Sequence, residues 1–157
     1  MSCSTNTPQI TDVQNPVTVN ILRGLPGAGK STWAAMWRDK CPDRREIVNR
    51  DALRLELFGT YSRLTPAQED QITDIELRLA DLAIREGKSV VVDDTNLRPH
   101  YVRTWIRFAA NHGVAHRVVI IDTALAECLR RNAARGAAGG RRVPDAIIRR
   151  MAATASW

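Results

Sequence analysis

The sequence predicts one α/β domain: a mostly parallel sheet of four or five strands, helices on both faces, and an arginine-bearing helical lid toward the C-terminus. Three observations carry that expectation. Short β-branched apolar runs alternate with longer segments whose apolar residues recur at helical spacing. The glycine-rich stretch Gly24-Leu25-Pro26-Gly27-Ala28-Gly29-Lys30-Ser31-Thr32 stands between the first such run and the first helical segment. A basic helical segment and a second helical segment flank the hinge Gly136-Ala137-Ala138-Gly139-Gly140. At 157 residues the chain is long enough for one domain with a substantial core. That domain is expected over residues 17–157, with the lid over 124–150, and residues 1–16, rich in Ser, Thr, Asn and Gln, read as a mobile tail.

Val17 to Leu22 reads as a buried strand, and Lys30 to Lys40 as a helix with Trp33, Met36 and Trp37 on one apolar face. Cys41 to Arg45 turns the chain. Glu46 to Asn49 is a second strand and Ala52 to Phe58 a short helix. Thr65-Pro66-Ala67-Gln68 is a helix start: a capping Thr, Pro at the first helical position, and Gln three residues after the cap. Ile72, Ile75, Leu79, Leu82 and Ala83 then mark the inward face of a long helix that Gly87 ends. Ser89 to Val92 suits a central strand. Arg98 to His112 is a helix facing inward through Val102, Ile106 and Ala109, and Arg117 to Asp122 reads as another buried strand. Ala124 to Arg135, and a last helix opened by Pro144 with Ile147, Ile148 and Met151 inward, complete the chain.

Composition narrows the classes. No run of about 18 apolar residues occurs, so no membrane span is expected, and the N-terminus lacks the charged and apolar regions of a signal peptide. Cys3, Cys41 and Cys128 have no metal-ligand or Cys-x-x-Cys spacing and point to a reduced, cytoplasmic setting. The net charge of +6 is concentrated: from Cys128 to Arg150 seven arginines accompany one acid, and the rest of the chain is near neutral. A basic block beside a phosphate loop suits polyanionic ligands.

The glycine stretch fits the pattern Gly, four residues, Gly, Lys, Ser/Thr of a phosphate-binding loop. Its glycines let backbone N–H groups of Gly27, Ala28, Gly29 and their neighbours approach phosphate oxygens, and the helix N-terminus adds partial positive charge. Lys30 should reach the β/γ-phosphates and the Ser31 hydroxyl Mg²⁺. Asp51 follows the second strand and is placed near that loop, where ligands of open α/β sheets bind; it suits a proton acceptor or a helix N-cap. In Asp93-Asp94-Thr95-Asn96 a carboxylate follows an apolar strand, the position that holds Mg²⁺ or its waters. Arg131 and Arg135 share a helix face and suit a lid that brings arginines to a transferring phosphoryl group.

Four motifs in order resemble the polynucleotide 5′-hydroxyl kinases of phages and bacteria: Gly24 to Ala34; Val48 to Arg54 with its Arg-Asp-x-x-Arg spacing; Asp94 to Leu97; and Arg131-Asn132-Ala133-Ala134-Arg135-Gly136 followed by Val143-Pro144. The resemblance covers residues 17 to about 151. It implies a P-loop kinase fold and transfer of an NTP γ-phosphoryl group, ATP or another NTP, to the 5′-OH end of RNA or DNA. By that resemblance Asp51 is the general base, Arg54 holds the acceptor's 3′-phosphate beside Arg50, and Arg131 and Arg135 contact the donor phosphates. Lys30, Ser31 and Thr32 bind phosphates, with Mg²⁺ on Ser31 directly and on Asp94 and Asp51 through water; Thr95 lies near the acceptor. No Asp-x-Asp-x-Thr signature occurs, so no 3′-phosphatase activity is expected. A small-molecule kinase of similar fold is the alternative, and the basic block and Arg54 argue against it. A nucleotide switch is disfavoured because Asp-x-x-Gly and Asn-Lys-x-Asp are both missing. The sequence is compatible with a homo-oligomer but does not set the oligomeric state.

Overall fold

The computed structural model describes residues 16–157, so the expected tail lies almost entirely outside the described residues. Four parallel strands, β1 (Thr18–Arg23), β2 (Arg45–Asn49), β3 (Ser89–Asp93) and β4 (Ala115–Ile120), form one sheet in the order β2-β3-β1-β4. Six helices connect and cover it: α1 (Lys30–Asp39), α2 (Arg50–Phe58), α3 (Pro66–Arg85), α4 (Pro99–Asn111), α5 (Leu125–Ala137) and α6 (Asp145–Thr154).

Side chains alternate across the sheet with the two-residue period of a strand. Val19, Ile21, Val90 and Val92 turn to one face, where Ala80 and Ala83 of α3 and Val102, Trp105 and Phe108 of α4 cover them. Leu22 and Val91 turn to the other, under Ala34, Trp33 and Trp37 of α1. A third cluster, Leu25, Leu97, Cys128, Val143 and Ile148, packs α5 and α6 against the ends of β1 and β3. The sheet is thus fully parallel, with helices on both faces, as the alternating apolar runs predict.

Four details differ from the sequence reading. Met36 does not share the inward face of α1: it is 62% exposed, because Ala34 takes the contact with the sheet and Met36 lies on the far side of the turn. Leu79 and Leu82 are also exposed, and the inward row of α3 is Ile72, Glu76, Ala80 and Ala83. The ion pair from Arg50 of α2 to Glu76 at 2.6 Å pulls that carboxylate inward and sets the helix rotation. β4 is not buried; it is an edge strand bonded to β1 alone among the described strands, with Val118 and Ile120 exposed. Finally, Gly136 belongs to α5 and not to the hinge, and a Cβ there would come 2.8 Å from the Arg142 side chain.

The Thr65–Gln68 capping box forms as predicted, with both reciprocal bonds made. At the other end of the α3–α4 pair, His112 caps α4: Nδ1 meets the Phe108 carbonyl and Nε2 the Asp81 carboxylate, each at 2.8 Å. The Asp81 contact raises the imidazole above its ordinary pKa. A folded pKa above the unfolded one gives stability that is present below the unfolded value and lost as pH rises through the folded value. His112→Ala should therefore lower Tm more at about pH 6 than at about pH 9, in thermal melts of both proteins.

Candidate active site

All four strands end on the same side of the sheet, so the segments that follow them converge there. The β1–α1 loop is the glycine stretch. Gly27 and Gly29 hold φ of 82° and 103°, left-handed values that glycine adopts without strain. Lys30 is buried, and its Nζ donates to the carbonyls of Gly24 at 3.0 Å and Leu25 at 2.8 Å, which folds the loop around it. Burial lowers the Lys30 ammonium from its ordinary range, opposed by Asp93, Asp94 and Asp51.

The loop after β3 is stapled beside it. Asn96, at φ 44°, donates from Nδ2 to the Leu22 carbonyl at 2.8 Å, and Gly24 N–H donates to the Thr95 carbonyl at 3.2 Å. The buried Arg23 guanidinium grips the carbonyls of Asn96 and Leu97 at 2.9 and 3.0 Å. Asp93 is the last residue of β3, and its carboxylate accepts from Asn49 Nδ2 at 2.7 Å. Burial raises its pKa, while bonds from Ser31 and Asn49 and the charge of Lys30 pull the other way. Asp93, which the sequence reading passed over in favour of Asp94, lines the phosphate-loop cavity together with Ser31 and Asp94. The Asp94 carboxylate accepts from Thr95 N–H at 2.7 Å.

Asn49 caps α2, accepting from Ala52 N–H at 2.8 Å, so Asp51 sits in the first turn and is not the cap. Arg54 donates to Asp51 at 2.8 Å and to Glu69 at 3.0 Å. Arg50 turns away from the glycine loop, toward α3, where it binds Glu69 at 2.7 Å and Glu76 at 2.6 Å. Burial pushes Glu76 up to about 7, and its Oε1 is the one buried side-chain oxygen without a partner among the described residues.

α5 supplies the basic side. The Gly27 approach to α5 is so close that a Cβ would lie 2.4 Å from the Cys128 carbonyl oxygen. Arg131 is held by Glu127 at 2.7 Å and reaches the Ala28 carbonyl at 3.4 Å. Arg135 donates to the Arg141 carbonyl at 2.6 Å. Asn132, buried, clasps both Val143 N–H and C=O at 3.0 and 2.7 Å and so fixes the α5–α6 loop. On that loop Arg141 pairs with Asp51. Neither Asn132 nor Arg141 carries a site role in the sequence reading; the Arg-Asn-x-x-Arg-Gly motif is the signal that contains Asn132.

These groups enclose a cavity of about 270 Å³ that brings together Lys30, Ser31, Asp51, Asp94, Arg131 and Arg135, with Gly27, Gly29, Thr32 and Thr95 on its wall. It adjoins a second of about 560 Å³, which takes in Arg50, Arg54, Arg98, Tyr101 and Arg150; Pro26, Asp94, Thr95 and Arg141 line both. Of the sequence-derived set, Arg50 and Arg54 lie in the second cavity and not in the first.

A family model described as an AAA domain matches residues 19–156. A protein of Autographa californica nuclear polyhedrosis virus, provisionally described as a bifunctional polynucleotide kinase/RNA ligase, is 32% identical over 124 residues, 71% of this chain and 17% of that protein. The L-seryl-tRNA(Sec) kinase of Methanococcus maripaludis is 28% identical over 134 residues, 83% of this chain and 49% of that one. A solved chain of the Pnkp1/Rnl/Hen1 RNA repair complex superposes with a TM-score of 0.76 at 25% identity, covering 90% of this chain and 44% of that chain. This chain thus spans about half or less of each relative. No helix among the described residues is long and apolar enough to cross a membrane. The phosphate loop on a parallel sheet and the match over residues 19–156 make the chain a member of the AAA-domain family of P-loop proteins, with a kinase-like fold and polynucleotide kinases among its relatives.

Proposed function

We propose that the chain transfers the γ-phosphoryl group of an NTP to the 5′-hydroxyl end of RNA or DNA, with Asp51 as general base. The observation that supports this most is the junction of the two cavities. Asp51 lines the phosphate-loop cavity, and its partners Arg54 and Arg141 line the larger one, which also carries Arg98, Arg150 and the half-exposed Tyr101, beside the acids Glu69 and Asp70. Arginines with an aromatic ring are the surface that a single nucleic-acid strand uses, through its phosphates and its bases. Lys30 and the loop amides would hold the donor phosphates, and Arg131 and Arg135, on a helix read as part of a lid, would neutralise charge on the transferring group.

The oxygen donors suit Mg²⁺: the Ser31 hydroxyl shares the cavity wall with the carboxylates of Asp93 and Asp94. Mg²⁺ takes one or two protein oxygens and completes its shell with water and phosphate. Ser31 would hold it, with Asp93 or Asp94 through water, and it would offset the phosphate charge.

The test is incubation with γ-labelled ATP and Mg²⁺, offering 5′-OH oligonucleotides of RNA and DNA, 5′-phosphorylated controls and small hydroxyl compounds. Label should appear on 5′-OH ends and not on the controls. Label on a small acceptor, with none on either oligonucleotide, would replace this reading with a small-molecule kinase.

A further inference from the structure

We propose that Arg141 selects the acceptor over water: its guanidinium caps Asp51 until the first phosphodiester of an incoming strand draws it away. This rests on the kinase reading above. Both carboxylate oxygens of Asp51 are engaged, Oδ1 by Arg54 at 2.8 Å and Oδ2 by Arg141. One acceptor position on each oxygen is thus taken by a guanidinium, and an incoming hydroxyl must compete with Arg141 for Oδ2.

The two arginines are not equivalent. Arg54 stands on α2, and its remaining Nε and Nη2 are bound to Glu69 at 3.1 and 3.0 Å. It is locked between α2 and α3, with its nitrogens occupied. Arg141 stands on the α5–α6 loop just after Gly139, at φ 83°, and Gly140. Among the described residues Asp51 is the one acid it meets. It lines the donor cavity and the larger cavity alike, so it stands where the strand would arrive with donors to spare. A guanidinium has five N–H donors, and exchange of a carboxylate for a phosphodiester keeps charge-assisted bonds on it. Donor binding aids the exchange. Arg135 holds the Arg141 carbonyl at 2.6 Å, and phosphates that recruit Arg135 loosen that anchor.

The step balances as follows. Once uncapped, Oδ2 of Asp51 takes the proton of the 5′-hydroxyl as its O–H bond breaks. The oxygen bonds to the γ-phosphorus, and the bridging P–O bond breaks with its electron pair leaving on the NDP. With water in the hydroxyl's place the same balance releases orthophosphate. The cap suppresses that wasteful branch while no strand is present.

The experiment compares wild type with Arg141→Ala in ATP and Mg²⁺. Without acceptor, the variant should release orthophosphate several-fold faster. With a 5′-OH oligonucleotide its KM should rise by about 10- to 100-fold, with kcat changed less, because a charged hydrogen bond to the strand is lost. Arg141→Lys should recover part of the KM. Asp51→Asn combined with Arg141→Ala should abolish the gain, leaving hydrolysis at or below the wild-type level. Unchanged hydrolysis in Arg141→Ala, or a rise that persists in the double variant, overturns the proposal. Absence of transfer by wild type to any 5′-OH end is a separate result, and it overturns the kinase reading.

Discussion

Asp51→Asn is expected to lower kcat for 5′-hydroxyl phosphorylation by about 10²–10⁴-fold with little change in Tm. The substitution is nearly isosteric and removes the proton acceptor. The helix end is not at stake, since Asn49 and not Asp51 caps α2. Arg54 keeps both of its bonds to Glu69, so the α2–α3 contact survives. What is lost is a part-exposed carboxylate and its ion pairs, worth roughly 1 kcal/mol or less of stability. Initial rates at saturating oligonucleotide, set beside thermal melts, check this. Full activity with a lowered Tm would make Asp51 a structural acid.

Gly27→Ala should remove nucleotide binding and destabilise the fold by at least about 2 kcal/mol. Two effects add. At φ 82° an L side chain meets backbone strain of about 1–3 kcal/mol. The new Cβ would also lie 2.4 Å from the Cys128 carbonyl oxygen, a backbone atom that no rotamer change can move. Either the phosphate loop or α5 must shift, and with α5 go Arg131 and Arg135. Gly29, at φ 103°, carries the same kind of backbone strain, but its Cβ would meet only the flexible end of Arg131, at 3.4 Å, so the steric part is missing there. Urea melts and a nucleotide titration of the Gly27 variant test the argument; wild-type values in both would refute it.

The contrast between local and long-range signals explains what could be read from the sequence. The Thr65–Gln68 cap, the β-branched runs and the glycine loop act within a few residues, and the structure carries each of them as expected. The rotation of α3 depends on Arg50, 26 residues from Glu76, so the periodicity of Leu79 and Leu82 misled. The exposure of β4 depends on strand order, which its own apolar run does not encode. The same holds in the site. The glycine loop identifies itself, whereas the place of Asp93 beside Asp94 and Ser31 on the cavity wall depends on how the end of β3 lies against α1. Arg141 reaches Asp51 across 90 residues of chain, a pairing that only the folded α5–α6 loop creates.

Of the described strands β1 is the first to be synthesised, yet it lies inside the sheet, and its partners come much later: Val19 faces Val90 and Thr18 faces Ala115. Synthesis of the intervening stretch of about 70 residues takes roughly 4–14 s. Throughout that interval Val19, Ile21 and Leu22, all fully buried in the finished molecule, lack both native partner strands, β3 and β4. The phosphate loop waits longer still, because its tight contact at Gly27 is with Cys128. A complete phosphate loop is therefore a late acquisition of the nascent chain.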